Sequence, residues 1–349
     1  MPDSETAVVD TSLAPTGEAR TTRRRLYPGH QFLVVLVTAV VVGTVVSALE
    51  LEPLDLGMVN LWMVYSIIAI GFYFIFAVAG QFALSQAFMA MVGGYVSAVA
   101  SPSTGVPLGI VCGITTAGVL AAAFALLMRR VTEFYFAIAT LGLAEIGTIV
   151  IRNWDYVGGV DGTRIGIQPL EALGRQLRMQ DEVFWGLLAA FTLALLVAAA
   201  FERSPLRREL IAVHRTPEVA ATLGVPVTLL RVTVFAAGSM LAAFGGALYA
   251  HWQGFVSTEA FGLDLSIGIF IMVLFGGTSS MWGAVIGAAF YVVVPVKFEF
   301  LGGYLDVFFG GLILVLIIAF PEGLIGIARS VARRLPRRIP GTQRRAGVS

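Results

Sequence analysis

The sequence predicts an all-α, polytopic membrane protein of about ten transmembrane helices with both termini cytoplasmic. Three observations carry that prediction. Hydrophobic residues make up 57% of the 349 residues and charged residues only 13%, with a mean hydropathy of +0.86. Soluble domains carry roughly 25% charged residues, so lipid must solvate most of these side chains. The apolar residues fall in runs of about 20, the length that crosses roughly 30 Å of hydrocarbon. The short arginine clusters fall in alternate connections between those runs, so all of them can lie on one side of the membrane.

Residues 1–30 are polar, contain Arg23-Arg24-Arg25, and are expected to be a disordered cytoplasmic tail. The apolar stretch 31–49 follows. It is long, begins late and ends in Glu50 and Glu52 without a small-residue cleavage site, so it reads as an uncleaved first span. Further spans are expected at 57–79, 83–100, 107–128, 134–152, 183–201, 229–250, 265–281, 283–298 and 304–320, within a transmembrane unit of 31–328. A basic cytoplasmic tail, 329–349, closes the chain and suits either an anionic lipid surface or simple anchoring of the topology. With the N-terminus inside, the cytoplasmic face holds Arg129, Arg130, Arg203, Arg207, Arg208, Arg215 and Arg231 as well as both tails. The outer face holds Arg152, Arg164, Arg175, Arg178 and Lys297, set among acids. One miscounted span would split the basic clusters between the faces.

Several classes of chemistry are excluded. Cys112 is the only cysteine, which leaves no disulfide framework, and His30, His214 and His251 lie at no metal-ligand spacing. Lys297 is the only lysine, so no P-loop exists here and any ATP must be bound by another chain. A net charge of +1 gives no argument for nucleic acid. Paired carboxylates and nucleophile triads are missing. The run Gly158-Gly159-Val160-Asp161 superficially resembles an intramembrane aspartyl-protease signature, but it falls in an outer loop without a second membrane aspartate. An enzyme is not expected, and neither is a cofactor or metal bound by this chain.

Two connections are long. The inner loop 202–228 reads as two short helices, because Ser204-Pro205 and Thr216-Pro217 each set a capping hydroxyl before a proline at the first helical position. Glu218 favours the first turn of the second helix, Gly224 supplies a left-handed stop, and Pro226 prevents resumption. That second helix, Pro217 to Leu223, is too short to be stable alone in water. Its small face, Ala220 and Ala221, suits a partner's groove. The outer loop 153–182 opens with the turn-rich run Asn153 to Gly162.

The pattern Glu218-Val219-Ala220-Ala221 with Gly224 resembles the cytoplasmic loop by which ABC-importer permeases contact their ATPase subunits. Over roughly 57–328 the chain is similar to the permease subunits of branched-chain amino acid ABC importers. The resemblance is carried by Gly80-Gln81-Phe82-Ala83-Leu84-Ser85-Gln86 with Gly93-Gly94-Tyr95, and by Asn153-Trp154-Asp155 with Gly158-Gly159-Val160-Asp161-Gly162. Later landmarks follow in order: Ala247 to His251, Leu265-Ser266-Ile267, Gly276-Gly277 and Phe320 to Gly326. The family often has Gly-His where Ser85-Gln86 stands, and an acid where Gly268 stands, which bears on the substrate. The same shape serves urea and short amides, and a related one simple sugars. The resemblance implies a bacterial inner-membrane importer subunit working with a second homologous permease, two ATP-binding subunits that use ATP and Mg²⁺, and an extracytoplasmic substrate-binding protein. Arg215, Glu218, Ala220, Ala221 and Gly224 would contact the ATPases, and Trp154, Asp155 and Asp161 the binding protein.

Residues for the path itself are polar or small positions next to helix breaks. Gly80 and Gly276-Gly277 lie where two spans meet on the inner side, as a discontinuity or as plain helix packing. Gln81, Ser85 and Gln86 place hydrogen-bonding groups beside the first break. Glu145 is the sole ionisable residue well inside a span, roughly 16 Å in, and is expected to face the bundle interior or be protonated. A neutral structural role is the expected one, since a proton relay needs more than one titratable group. The competing class is a self-sufficient secondary transporter or channel, which calls for several intramembrane charges.

Overall fold

A computed structural model of the chain describes residues 30–49, 52–159, 161–172, 175–177 and 180–304, together with 308, 310, 311, 314 and 323. The expected tails 1–30 and 329–349, the span 304–320 and the landmark Phe320 to Gly326 lie outside the described residues, apart from His30, Tyr304 and those isolated positions. The helices are α1 (His30–Leu49), α2 (Pro53–Tyr73), α3 (Gln86–Thr104), α4 (Val106–Leu127), α5 (Glu133–Arg152) and the single turn α6 (Asp155–Gly158). They continue as α7 (Gln180–Arg203), α8 (Pro205–Arg215), α9 (Pro217–Thr222), α10 (Val227–Gln253), α11 (Leu263–Gly276) and α12 (Met281–Lys297). Nine expected spans fall on α1–α5, α7 and α10–α12.

Among the described residues six stretches are long and apolar enough to cross a membrane: Pro53–Val78, Val106–Leu127, Glu133–Arg152, Asp181–Arg203, Val227–Gln253 and Glu259–Gly276. Phe32–Ala48 and Met281–Lys297 are apolar but shorter. Helix α3 is diluted by Ser97, Ser101, Pro102, Ser103 and Thr104. It needs no lipid-like surface over most of its length, because residues 86–95 are buried by neighbouring helices.

The span expected at 265–281 ends early, on the glycine pair where two spans were expected to meet. α11 stops at Gly276, because Gly277 takes φ 106° and the polar run Thr278-Ser279-Ser280 makes the turn into α12. The chain is also not purely helical. Strand β1 (Thr163–Ile165) pairs antiparallel with β4 (Phe255–Ser257), and β2 (Glu171–Ala172) with β3 (Arg175–Gln176). Both ribbons lie in connections, where the backbone needs partners that no helix supplies.

Between apolar helices in lipid, hydrophobicity gives no preference for contact, so close backbone packing through small residues holds the bundle. Helix α10 packs on α2, α3 and α4, and α12 packs on α2 and α11. A Cβ at Gly246 would sit 1.9 Å from the Ala90 carbonyl oxygen, and one at Gly93 2.1 Å from that of Ala243. The α3–α10 crossing therefore tolerates no side chain at either glycine.

Contacts between connections define two ends. At one end Glu202 Oε1 accepts from Tyr73 Oη (3.1 Å) and from the Met281 backbone N–H (3.2 Å). There too Arg231 pairs with Glu133 (3.0 Å), and the Arg203 guanidinium lies 4.0 Å from the Phe32 ring centroid. At the other end Lys297 meets Asp55 at 3.6 Å, and the Tyr95 hydroxyl donates to the Gly162 carbonyl. The described arginine clusters 129–130, 203–208, 215 and 231 belong to the first end.

Candidate functional site

The first end carries the predicted helix pair. α8 starts at Pro205 behind Ser204, whose Oγ accepts from the Arg207 N–H at 3.4 Å. α9 starts at Pro217, but Thr216 caps nothing with its side chain. Gly224 takes φ +80°, which stops α9 and lets the Val225 N–H reach the Ala220 carbonyl at 3.1 Å. Leu210, Val213 and Ala220 are buried and seat both helices on the bundle. Ala220 thus packs inward, not into a partner's groove, and the free face is Arg215, Glu218, Val219, Ala221 and Leu223.

The break after α2 lies against this pair. Residues Phe74–Val78 form a π turn, a rare form that marks strained or functional positions. Gly80 follows at φ +73°. A Cβ there would lie 1.6 Å from His214 Nδ1 on α8, so only glycine admits that imidazole. The structure gathers Gln81, Ser85 and Gln86 on this break, all buried. Among the described residues, the Gln81 Oε1, the Ser85 Oγ and both amide atoms of Gln86 have no hydrogen-bond partner. Buried polar groups left in that state cost about 1–3 kcal/mol each, so they are the groups here most in want of water or a ligand. Gln81 also lines a cavity with Arg129, Glu133, Thr228 and Arg231 at the ends of α4, α5 and α10 that belong to this first end.

Leu84 N–H donates to Thr140 Oγ1 at 3.0 Å, which ties the break to α5. Five residues further along α5 stands Glu145, and it is exposed. Within this chain it does not face the bundle interior, the first of the two placements expected for it. Phe134, Tyr135, Ile138, Ile146, Ile149 and Val150 share its exposure. That open stripe follows the three-to-four-residue period of one helix face. A carboxyl at that depth is costly against hydrocarbon.

Gly276 and Gly277 are not brought to the break. A Cβ on Gly276 would lie 1.8 Å from the Gly283 carbonyl oxygen, so these glycines join α11 closely to α12. Here helix packing is the reading the geometry favours. Phe82 of the break stacks edge-on against Phe270 of α11, centroids 5.1 Å apart.

At the second end Trp154, Asp155 and Asp161 are exposed, and Asp161 takes φ 51°. The following segment is held down by residues that sequence reasoning did not single out for it. His251 Nδ1 donates to the Gln168 carbonyl at 2.7 Å, which leaves Nε2 to accept from Ser97 Oγ at 2.7 Å. Tyr95 and His251 both stood inside quoted motifs, but only the fold brings the loop to them.

The family model described as "Branched-chain amino acid transport system / permease component" matches residues 56–319. The chain is 26% identical to the high-affinity branched-chain amino acid transport system permease protein LivM of Salmonella typhimurium, over 91% of this chain and 78% of that protein. It is 23% identical to the LivH permease protein of the same-named system in Escherichia coli K12, over 77% of this chain and 93% of that protein. It is 29% identical to the autoinducer 2 import system permease protein LsrC of Enterobacter sp. strain 638, over 57% of this chain and 58% of that one. No solved structure matches the chain significantly. With a match over that span, which takes in α8, α9, the break after α2 and α5, the chain belongs to the branched-chain amino acid transport system permease component family.

Proposed function

We propose that this chain is the permease of an ATP-driven importer of branched-chain or other small amino acids in a bacterial cytoplasmic membrane. It pairs with a second, homologous permease, two ATP-binding subunits and an external substrate-binding protein. About ten spans with both termini cytoplasmic put the basic end inside, in keeping with the positive-inside bias. The observation that carries the reading is the inner pair α8–α9. It is seated by Leu210, Val213 and Ala220 yet presents Arg215, Glu218, Val219, Ala221 and Leu223 to solvent. Two short helices with an exposed apolar and acidic face call for a partner, and the absent P-loop calls for one that binds ATP.

The α5 stripe around Glu145 supports the rest. A mid-span carboxyl on an outward face belongs against protein or water, so α5 faces the second permease across the path. Alternate rocking of the two permeases would open that path to each side in turn. Trp154, Asp155 and Asp161 are the candidate contacts for the binding protein at the outer end, and Gln81, Ser85 and Gln86 the polar lining near the inner end.

The test is purification of the complex in mild detergent with wild-type chain, Gly224→Pro, and the Glu218→Arg/Ala221→Arg double variant. ATPase subunits should come down with the wild type and be lost with both variants while membrane insertion stays normal. Recovery of correctly inserted wild type without any nucleotide-binding chain would favour a self-sufficient transporter.

A further inference from the structure

We propose that His214 transmits displacement of the inner helix pair to the polar break and, through Thr140, to α5. The proposal rests on the reading of α8–α9 as the ATPase dock and assigns the residue that couples it to the path. His214 is exposed on the inner surface, three residues before the second docking helix begins. Its ring nevertheless bears on the Gly80 backbone: an added Cβ would lie 1.6 Å from Nδ1 and 2.3 Å from Cε1. One side of the imidazole is thus presented to whatever docks, and the other presses on the start of the break.

The segment under that pressure is built to change register. The Ala79 N–H reaches Phe74 O (3.2 Å), the Gly80 N–H reaches Phe76 O (3.1 Å), and the Gln81 N–H reaches Ile75 O (2.9 Å). These spacings of five, four and six residues replace the single α-helical spacing, and a π turn exchanges with a regular one by shifting such bonds. Beyond Gly80 come the unpartnered Gln81 Oε1, Ser85 Oγ and Gln86 amide, whose aim would change with the shift. The Leu84 N–H then holds Thr140 Oγ1, whose own hydroxyl donates to Ala137 O at 2.8 Å, so the far end of the break is fixed to α5. Dock, imidazole, glycine, break and α5 form one contiguous path of contacts, with the π turn as its two-state element.

The competing route runs through the covalent α7–α8 junction, where Glu202 holds Tyr73 and the α12 N-terminus. His214→Ala separates the two, because it removes the contact on Gly80 and leaves that junction intact. The complete complex, with its ATPases and binding protein, is reconstituted into proteoliposomes. Leucine, isoleucine and valine uptake and ATP hydrolysis are measured together. Uptake per ATP should fall about tenfold in His214→Ala, return in His214→Phe, which keeps a ring on Gly80, and fall likewise in Thr140→Val. A ratio unchanged from wild type in His214→Ala overturns the proposal. So does a proportional loss of hydrolysis and uptake, which is what a merely structural role gives. If the wild type itself hydrolyses no ATP in step with uptake, the dock reading fails first and this proposal with it.

Discussion

Glu145 stands near the middle of α5 on a face that the rest of the described chain leaves open. A carboxylate there is stable only if protein or water covers it, and a neutral amide of the same shape keeps the hydrogen-bonding capacity while removing the charge. Glu145→Gln is therefore expected to insert normally and still transport, as measured by uptake in membranes against the amount of inserted chain. Complete loss of uptake with normal insertion would make the ionised carboxyl itself part of the mechanism. The sequence already singled out this residue, since any mid-span acid is conspicuous. Its direction was not legible, because a helix with apolar residues all round offers no phase to tell its own bundle from a neighbour. Gln81, Ser85 and Gln86 were legible as polar residues beside a glycine. Their shared lack of partners belongs to the fold, since burial and hydrogen bonding depend on what α5 and α10 bring across.

At the scale of elements, most helices were set by apolar length, and the bounds of α2, α4, α5 and α10 lie within a few residues of those expected. The α11–α12 junction falls at 277–280, a few residues before the one expected near Gly283, because a hydropathy window averages over the short polar turn. The ribbon β1–β4 was missed because β1 pairs across about ninety residues, beyond any local pattern, and β2–β3 because strands that short leave no alternation to read. Packing between elements yields a firm prediction. Gly246→Val drives a side chain into the Ala90 backbone, where a Cβ already falls at 1.9 Å. Backbone cannot rotate away as a side-chain tip can, so the cost should reach at least the 1–3 kcal/mol of ordinary overpacking. The expected outcome is a marked drop in folded, monodisperse protein in detergent. A variant with wild-type yield and thermal midpoint would show that α3 and α10 lie further apart.

For the whole molecule, the contrast between α4 and α5 gives a map of surroundings. The exposed face of α4, with Leu108, Val111, Val119 and Leu127, is apolar, and that of α5 carries Glu145 amid its isoleucines. A lipid neighbour suits the first and a protein neighbour the second. If the proposed pairing holds, a photoreactive side chain placed at Ile146 should cross-link to the proposed second permease in the assembled complex, whereas one at Val119 should give lipid adducts only. Cross-linking from Val119 alone would reverse the assignment of faces. The same map accounts for the exposed α9 face at the basic end, which no residue of this chain covers among those described.

Composition, run length and arginine placement by themselves determined that the chain is a helical membrane protein, which end of the bundle is basic, and where the short helices of that end begin and stop. Those are one-dimensional properties, since a helix in lipid must satisfy its backbone within its own run of residues. Only the tertiary structure decided that His214 sits on Gly80, that Ala220 turns inward, that Glu145 turns outward and that His251 holds Gln168. Each depends on how helices far apart in sequence cross, and those crossings are fixed by backbone contacts at small residues whose partners the sequence does not name.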